Sequence, residues 1–113
     1  MPLLNTPKKL LFSQGNLQII AFSNLIDVTT LIPIDIDTLV ATMIDCNGNP
    51  VPGCTNIALP NTDALGDYMG TFGDNNFYPL VGTGYTLLID GNNGSGGGYI
   101  HFEVMVEIVS RQQ

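Results

Sequence analysis

The amino-acid sequence predicts an all-β protein: a sandwich of about seven short antiparallel strands behind an extended N-terminal arm. Three observations carry this. No segment repeats apolar residues with the period of a helix. Residues 99–110 alternate strictly, with Ile100, Phe102, Val104, Val106 and Ile108 facing one way and Tyr99, His101, Glu103, Met105, Glu107 and Val109 the other. Turn residues punctuate the chain at the roughly 8–12-residue spacing of sandwiches and barrels.

The elements follow in order. Residues 1–14 read as an arm, because Pro2 and Pro7 interrupt any helix and Asn5-Thr6 is turn-like. Residues 15–113 form the sandwich domain. Residues 17–22 are rich in strand formers and follow a Gly-Asn turn signal. Residues 25–32 continue as a strand up to Pro33, and Ile34, Ile36 and Thr38 alternate with Asp35 and Asp37. Residues 38–45 make a good strand. Asn47-Gly48-Asn49-Pro50 is a strong turn, since Gly and Asn accept positive φ at little cost. Val51 to Leu59 reads as the return strand, shortened by Pro52 and Gly53. Asp67 to Phe72 is a short strand whose Gly70 marks a bulge or a close approach. Tyr85 to Asp90 is a strand, and the glycine-rich run 91–98 links it to the last one. Ile100, Phe102, Val104, Val106 and Ile108 are expected to form one wall of the core, with Tyr85, Leu87 and Ile89 nearby.

The composition excludes several classes of function. The chain has 113 residues, enough for one domain. Lys and Arg number 3 and Asp and Glu number 10, a formal net charge of −7. Binding to duplex nucleic acid needs basic residues that this chain lacks. Disorder is excluded by a hydrophobic content of 44%. Two cysteines cannot make a disulfide framework. Between Leu10 and Ser110 there is no Lys or Arg, and all ten acids lie there. The body is therefore acidic, and the basic residues Lys8, Lys9 and Arg111 lie near the two ends.

Membrane insertion is not expected, because polar residues interrupt the longest uncharged stretch, Leu10 to Ile26. Lys8-Lys9 before Leu10-Leu11-Phe12 resembles a signal peptide only faintly. Its apolar stretch stops at Ser13, short of the roughly 7–15 residues a signal needs. The expected location is cytoplasm or a particle assembled there, with Cys46 and Cys54 reduced. A strand pair folded about the Asn-Gly turn would set the two cysteines opposite each other, so one hairpin disulfide is open in an oxidising place.

Chemistry-bearing residues are few. His101 is the sole histidine, so any histidine-dependent catalysis runs through it, and an outward strand position predicts an ordinary solvated side chain. The acid pairs Asp35/Asp37 and Glu103/Glu107 share strand faces but have no visible cleft to raise a pKa. One His and a C-x7-C pair give no zinc signature. The oxygen-rich turns at Asp45–Asn49, Asp74–Asn76 and Asp90–Asn93 lack the glycine position and closing Glu of a calcium loop. They carry the residues that tight turns require anyway. The glycines at 94–98 open no helix and precede no Lys-Ser/Thr, so they read as a hairpin tip. No cofactor, metal or catalytic site is expected.

Four stretches carry a family resemblance. Val40-Ala-Thr-Met-Ile-Asp-Cys-Asn-Gly-Asn-Pro-Val-Pro-Gly53 resembles the opening of immunoglobulin-like modules, where a strand ends in Asp, a Gly turn follows and Pro-Val begins the next strand. Gly66-Asp-Tyr-Met-Gly-Thr-Phe72 is similar to their Gly-x-Tyr-x-Gly-Thr strand, and Gly82-Thr-Gly-Tyr-Thr-Leu-Leu-Ile-Asp90 to their Gly-x-x-Tyr-x-Leu strand. Phe102 to Arg111 looks like a closing strand. The order resembles small immunoglobulin-like proteins of tailed bacteriophages and prophages, encoded among head–tail connector and tail genes. The chain lacks the buried Trp and inter-sheet Cys pair of secreted immunoglobulin domains.

The resemblance implies an immunoglobulin-like β-sandwich in a virion component of neck, tail or capsid, assembling through protein–protein contacts with other virion proteins or copies of itself. The physical features agree with a non-enzymatic structural module. The body is apolar yet poorly charged, which leaves it weakly protected against association. The outward face of the last strand includes Tyr99, Met105 and Val109. The expected interface residues are Lys8, Lys9, Tyr99, His101, Met105 and Arg111, and the arm is expected to serve assembly while being dispensable for folding. The competing reading is a secreted or cell-surface immunoglobulin-like module for adhesion or carbohydrate binding.

Overall fold

A computed structural model of the chain describes residues 5–6, 8–28, 31–34, 38–62, 66–73, 77–92 and 99–110. Asp35, Asp37, the Asp74–Asn76 turn, the 94–98 tip and Arg111 lie outside them. The described residues contain strands and no helix. The strands are β1 (Lys9–Ser13), β2 (Gln18–Phe22), β3 (Ile26–Asp27), β4 (Ile32–Pro33), β5 (Thr38–Ile44), β6 (Ile57–Pro60), β7 (Tyr68–Phe72), β8 (Gly82–Asn92) and β9 (Tyr99–Val109). Seven have four residues or more, and β3 and β4 are a two-residue ladder.

The protein is all-β, as the sequence predicts. A mixed five-stranded sheet has the order β1-β9-β8-β5-β6, and β2 and β7 form a separate antiparallel pair. Two features depart from seven antiparallel strands shared between two sheets. The division is five against two, and β1 runs parallel to β9, with Lys9 opposite Met105 and Phe12 opposite Ile108. The last part of the segment read as an arm is therefore an edge strand of the main sheet. Alternation is the reason: Phe12 turns into the core and Leu11 outward, as a half-buried strand requires.

The main sheet curls, and the β2–β7 pair lies across its mouth. On one side Phe12 of β1 meets Phe72 of β7 edge to face, with ring centroids 5.1 Å apart, and Phe77 meets Phe72 at 5.2 Å. Phe22 of β2 meets Phe102 of β9 at 5.4 Å. Each such pair contributes about 0.5–1.5 kcal/mol beyond the area it buries. On the other side β6 lies against β7, and Asn61 bridges to Tyr68. Gly70 makes this approach possible. A Cβ there would come within 2.5 Å of the Leu59 Cδ2 and closer still to the Ala58 carbonyl. The expected close approach at Gly70 is what the structure contains.

Between the sheets lies one core. Ile20, Leu39, Ala41, Met43, Leu59, Leu87, Ile89 and Ile108 are fully buried, joined by Ile100, Val104 and Val106 from β9. Phe102 and Tyr85 are partly buried against it, so the predicted core face of the last strand and its neighbours is as expected.

The chain between Ile44 and Ile57 differs from the sequence reading. Asp45 and Asn49 close the turn around Gly48, whose φ is +85°. The return strand does not start at Val51. Val51 and Cys54 both bond back to Met43 through their backbones, and a loop follows before β6 begins at Ile57. Pro52 has no amide to donate, and Gly53 and Asn56 take positive φ, which breaks the ladder. Cys54 thus faces Met43 rather than Cys46. Both thiols are free, Cys46 exposed and Cys54 buried, and no hairpin disulfide forms. The expected strand over 25–32 also breaks, because Leu31 takes a φ of +61° between β3 and β4.

Candidate functional site

The outward face of the five-stranded sheet follows from register. Opposite residues on neighbouring strands share a face. One row runs Ala58, Val40, Asp90, His101, and the next continues Thr42, Leu88, Glu103. A third runs Ile44, Thr86, Met105, Lys9, and a fourth pairs Glu107 with Leu11. Met105 is 65% exposed and Leu11 62%, and Val40 is exposed at the far end of the face, in the row of Asp90 and His101. The face therefore sets Leu11 and Met105 at one end and Val40 at the other, with ionisable groups between and beside them.

Those groups are paired within the chain. The Lys9 ammonium lies 2.5 Å from the Glu107 carboxylate. His101 Nδ1 lies 2.7 Å from Asp90 Oδ1, and Nε2 lies 3.3 Å from Glu103 Oε2. The hydrogen bonds to Asp90 and then Glu103 hold the imidazole pKa above its ordinary value. A carboxylate thus lies at each ring nitrogen, an arrangement that favours the protonated imidazole. The solvated histidine that the sequence predicts is partly screened instead, as the centre of an ion cluster.

The expected interface residues fall as follows. Lys9, His101 and Met105 lie on this one face, and Tyr99 occupies a position in the same phase of β9, its side chain outside the described set. Lys8 is exposed immediately before β1. Arg111 is not among the described residues. Sequence reasoning missed Leu11, Val40 and Leu88 as members. The parallel pairing of β1 with β9 leaves no local signal, so the alignment of Leu11 with Glu107 and of Lys9 with Met105 is invisible in the sequence.

Other surfaces carry less chemistry. Tyr78, Leu80 and Val81 are exposed on a loop held by backbone contacts, with Gly15 N donating to the Phe77 carbonyl, Gln14 Nε2 to that of Pro79 and Tyr85 Oη to that of Leu80. Ile19 and Met69 are exposed on the outer side of the β2–β7 pair. A groove of about 410 Å³ beside the end of β2 is lined by Asn5, Thr6, Ala21, Phe22, Ser23 and Leu25, none of them ionisable. The Asp45 carboxylate accepts from the amides of Asn47 and Asn49, the backbone role that the turn requires. Among the described residues no group of three or more His, Cys, Asp or Glu side chains is placed to hold a metal ion. No helix among them is long and apolar enough to cross a membrane.

No family model matches the chain, and no curated protein is significantly similar to it.

Proposed function

We propose that the chain is a non-enzymatic structural module of a tailed-bacteriophage particle, an immunoglobulin-like component of neck, tail or capsid that assembles through protein–protein contacts. The observation that carries this reading is the outward sheet face, where exposed Leu11 and Met105 lie among charges already paired within the chain. Such a face costs little to desolvate compared with one of unpaired charges.

The strand order supports the immunoglobulin-like part. Variable-type immunoglobulin domains extend the G-F-C sheet by C′. The succession β9-β8-β5-β6 follows that order, and β2 and β7 take the places of strands B and E in the opposite sheet. The motifs at residues 40–53, 66–72 and 82–90 fall on β5 with its turn, on β7 and on β8. The phage setting rests on the resemblance of these motifs and their spacing. It places the protein in the host cytoplasm during assembly and in the virion afterwards.

The test is mass-spectrometric quantification in gradient-purified particles from a host carrying the encoding genome. A fixed copy number of several chains per particle is expected. Particles that lack the chain while the lysate contains it would contradict the reading.

A further inference from the structure

We infer that the Gln18 side chain is a plug on the open edge of β1: it occupies the position of a pairing strand and keeps that edge from adding the strand of a second chain. This plug is independent of the module reading above.

The edge is a hazard by composition. No charged residue lies between Leu10 and Ile26. That uncharged stretch supplies Leu10-Leu11-Phe12 to β1 and Ile19-Ile20-Ala21-Phe22 to β2. Among the described residues both strands are outermost in their sheets. Short apolar strands without charge, left on an edge, template pairing with another chain. The opposite end of the five-stranded sheet is guarded in another way. There β6 ends at Pro60, and β7 packs closely on it at Gly70. No strand among the described residues covers the outer side of β1.

The ladder fixes which backbone groups of β1 are open. Gln14 donates its amide to the Val109 carbonyl. Successive residues of a strand turn their amide and carbonyl to opposite sides. Leu10, Phe12 and Gln14 therefore face β9, and Lys9, Leu11 and Ser13 face outward. An added strand would bond to those three in turn. Ser13 is already taken. The Gln18 carboxamide accepts from its amide and donates to its carbonyl, the two bonds that a partner residue would make. A further bond to the Asn16 carbonyl, together with burial, fixes the carboxamide in place. At the other end Lys9 carries a charge, next to exposed Lys8. Leu11 alone stays open between them, and a strand has at least about three residues.

Asn5 repeats the device just beyond the end of β2. Its carboxamide donates to the Asn24 carbonyl and accepts from the Ile26 amide. Two carboxamides thus occupy backbone groups along the uncharged stretch. A hydrocarbon side chain of the same size at position 18 would fill the space and leave Ser13 open to another chain.

The experiment follows association of the full chain by sedimentation velocity over a concentration series, well below the unfolding midpoint of each variant. The infrared band of intermolecular β-sheet is the second readout. Gln18→Leu is expected to associate, and to show that band, at a concentration about tenfold lower than the wild type. A truncation in the central strand β8, Ile89→Val or Leu87→Ala, chosen to match its urea midpoint, should keep the wild-type onset. Leu11→Pro added to Gln18→Leu removes the outward amide and no bond to β9. It should restore the wild-type onset while the urea midpoint stays low. Leu11→Lys, which puts a charge on the same edge, is the second rescue variant and should restore the onset as well. In the wild type, amide exchange should be fast at Leu11 and slow at Ser13, and this comparison decides the matter if Gln18→Leu does not fold. An unchanged onset in Gln18→Leu, an equal shift in the matched core variant or no rescue by either change at Leu11 overturns the plug. So does a Ser13 amide that exchanges as fast as that of Leu11. Presence or absence of the chain in purified particles bears on the module reading alone.

Discussion

The carboxamide of Gln18 holds both backbone groups of Ser13: its Oε1 accepts from the Ser13 amide at 3.1 Å, and its Nε2 donates to the Ser13 carbonyl at 2.6 Å. The same Nε2 also donates to the Asn16 carbonyl at 2.8 Å. A side chain from the start of β2 thereby takes the place of a neighbouring strand for the end of β1. Gln18 is buried, yet fully bonded. It ties the β1–β2 turn and so joins the main sheet to the pair that closes it.

Gln18→Leu keeps the volume and removes these bonds. Ser13 then keeps a screened amide and carbonyl without that partner, a loss of roughly 1–3 kcal/mol. Urea unfolding should show a lower midpoint with an unchanged slope. A variant as stable as the wild type would mean that water replaces the carboxamide at no cost.

Removing residues 1–14 should destabilise the domain rather than spare it. The deletion takes away β1, the fully paired edge of the main sheet, together with buried Phe12 and partly buried Leu10. Each apolar side chain of this size contributes about 1.5–3 kcal/mol on burial. That is a large part of a total of about 5–15 kcal/mol. Thermal unfolding followed by circular dichroism should show a much lower midpoint or no cooperative transition. An unchanged midpoint would mean that β1 adds nothing to the fold.

Val104→Asp places a carboxylate in the core wall, where the valine is 1% exposed. An unpaired buried charge costs several kcal/mol, comparable to the whole stability. The variant should lack a dispersed amide spectrum and a cooperative transition. Normal folding would reverse the assignment of faces on β9.

The two thiols should separate by reactivity. Cys46 is exposed, whereas burial pushes the Cys54 thiol up to about 12. A thiol reagent at neutral pH should modify Cys46 in the folded chain and Cys54 only after denaturation. Two fast-reacting thiols in the native protein would place Cys54 at the surface.

Stability should fall as pH rises through the His101 titration. The folded pKa lies above the unfolded one, because Asp90 and then Glu103 favour the imidazolium. The contribution is complete below the unfolded value of about 6.5 and disappears above the folded value. The ring is partly exposed, so the effect is small. Denaturation midpoints at about pH 6 and about pH 8.5 should differ in the wild type and coincide in His101→Gln.

Where the fold was legible, the signal was local. Alternation from Ile100 to Ile108 gave the core face of β9, and Asn47-Gly48 gave a turn that needs positive φ. Gly70 within a strand marked a place where β7 closely approaches Ala58 and Leu59 of β6. What the sequence hid is non-local. The parallel register of β1 on β9 depends on pairing partners nearly a hundred residues apart, and nothing near Lys9 announces Met105. Gln18 looked like any polar strand residue, because its burial depends on a turn five residues upstream. The candidate surface was half legible for the same reason. Alternation alone placed His101 and Met105 outward, but Leu11, Val40 and Leu88 join them only through cross-strand register.

The central claim is that the protein works through this sheet face. The most direct measurement is the labelling rate of a thiol at position 105, using Met105→Cys with Cys46→Ser, in purified particles against the free chain at low concentration. The account predicts slow labelling at 105 in particles, while a Leu80→Cys control in the same background is free to differ. Equal rates at position 105 in the two states would contradict it.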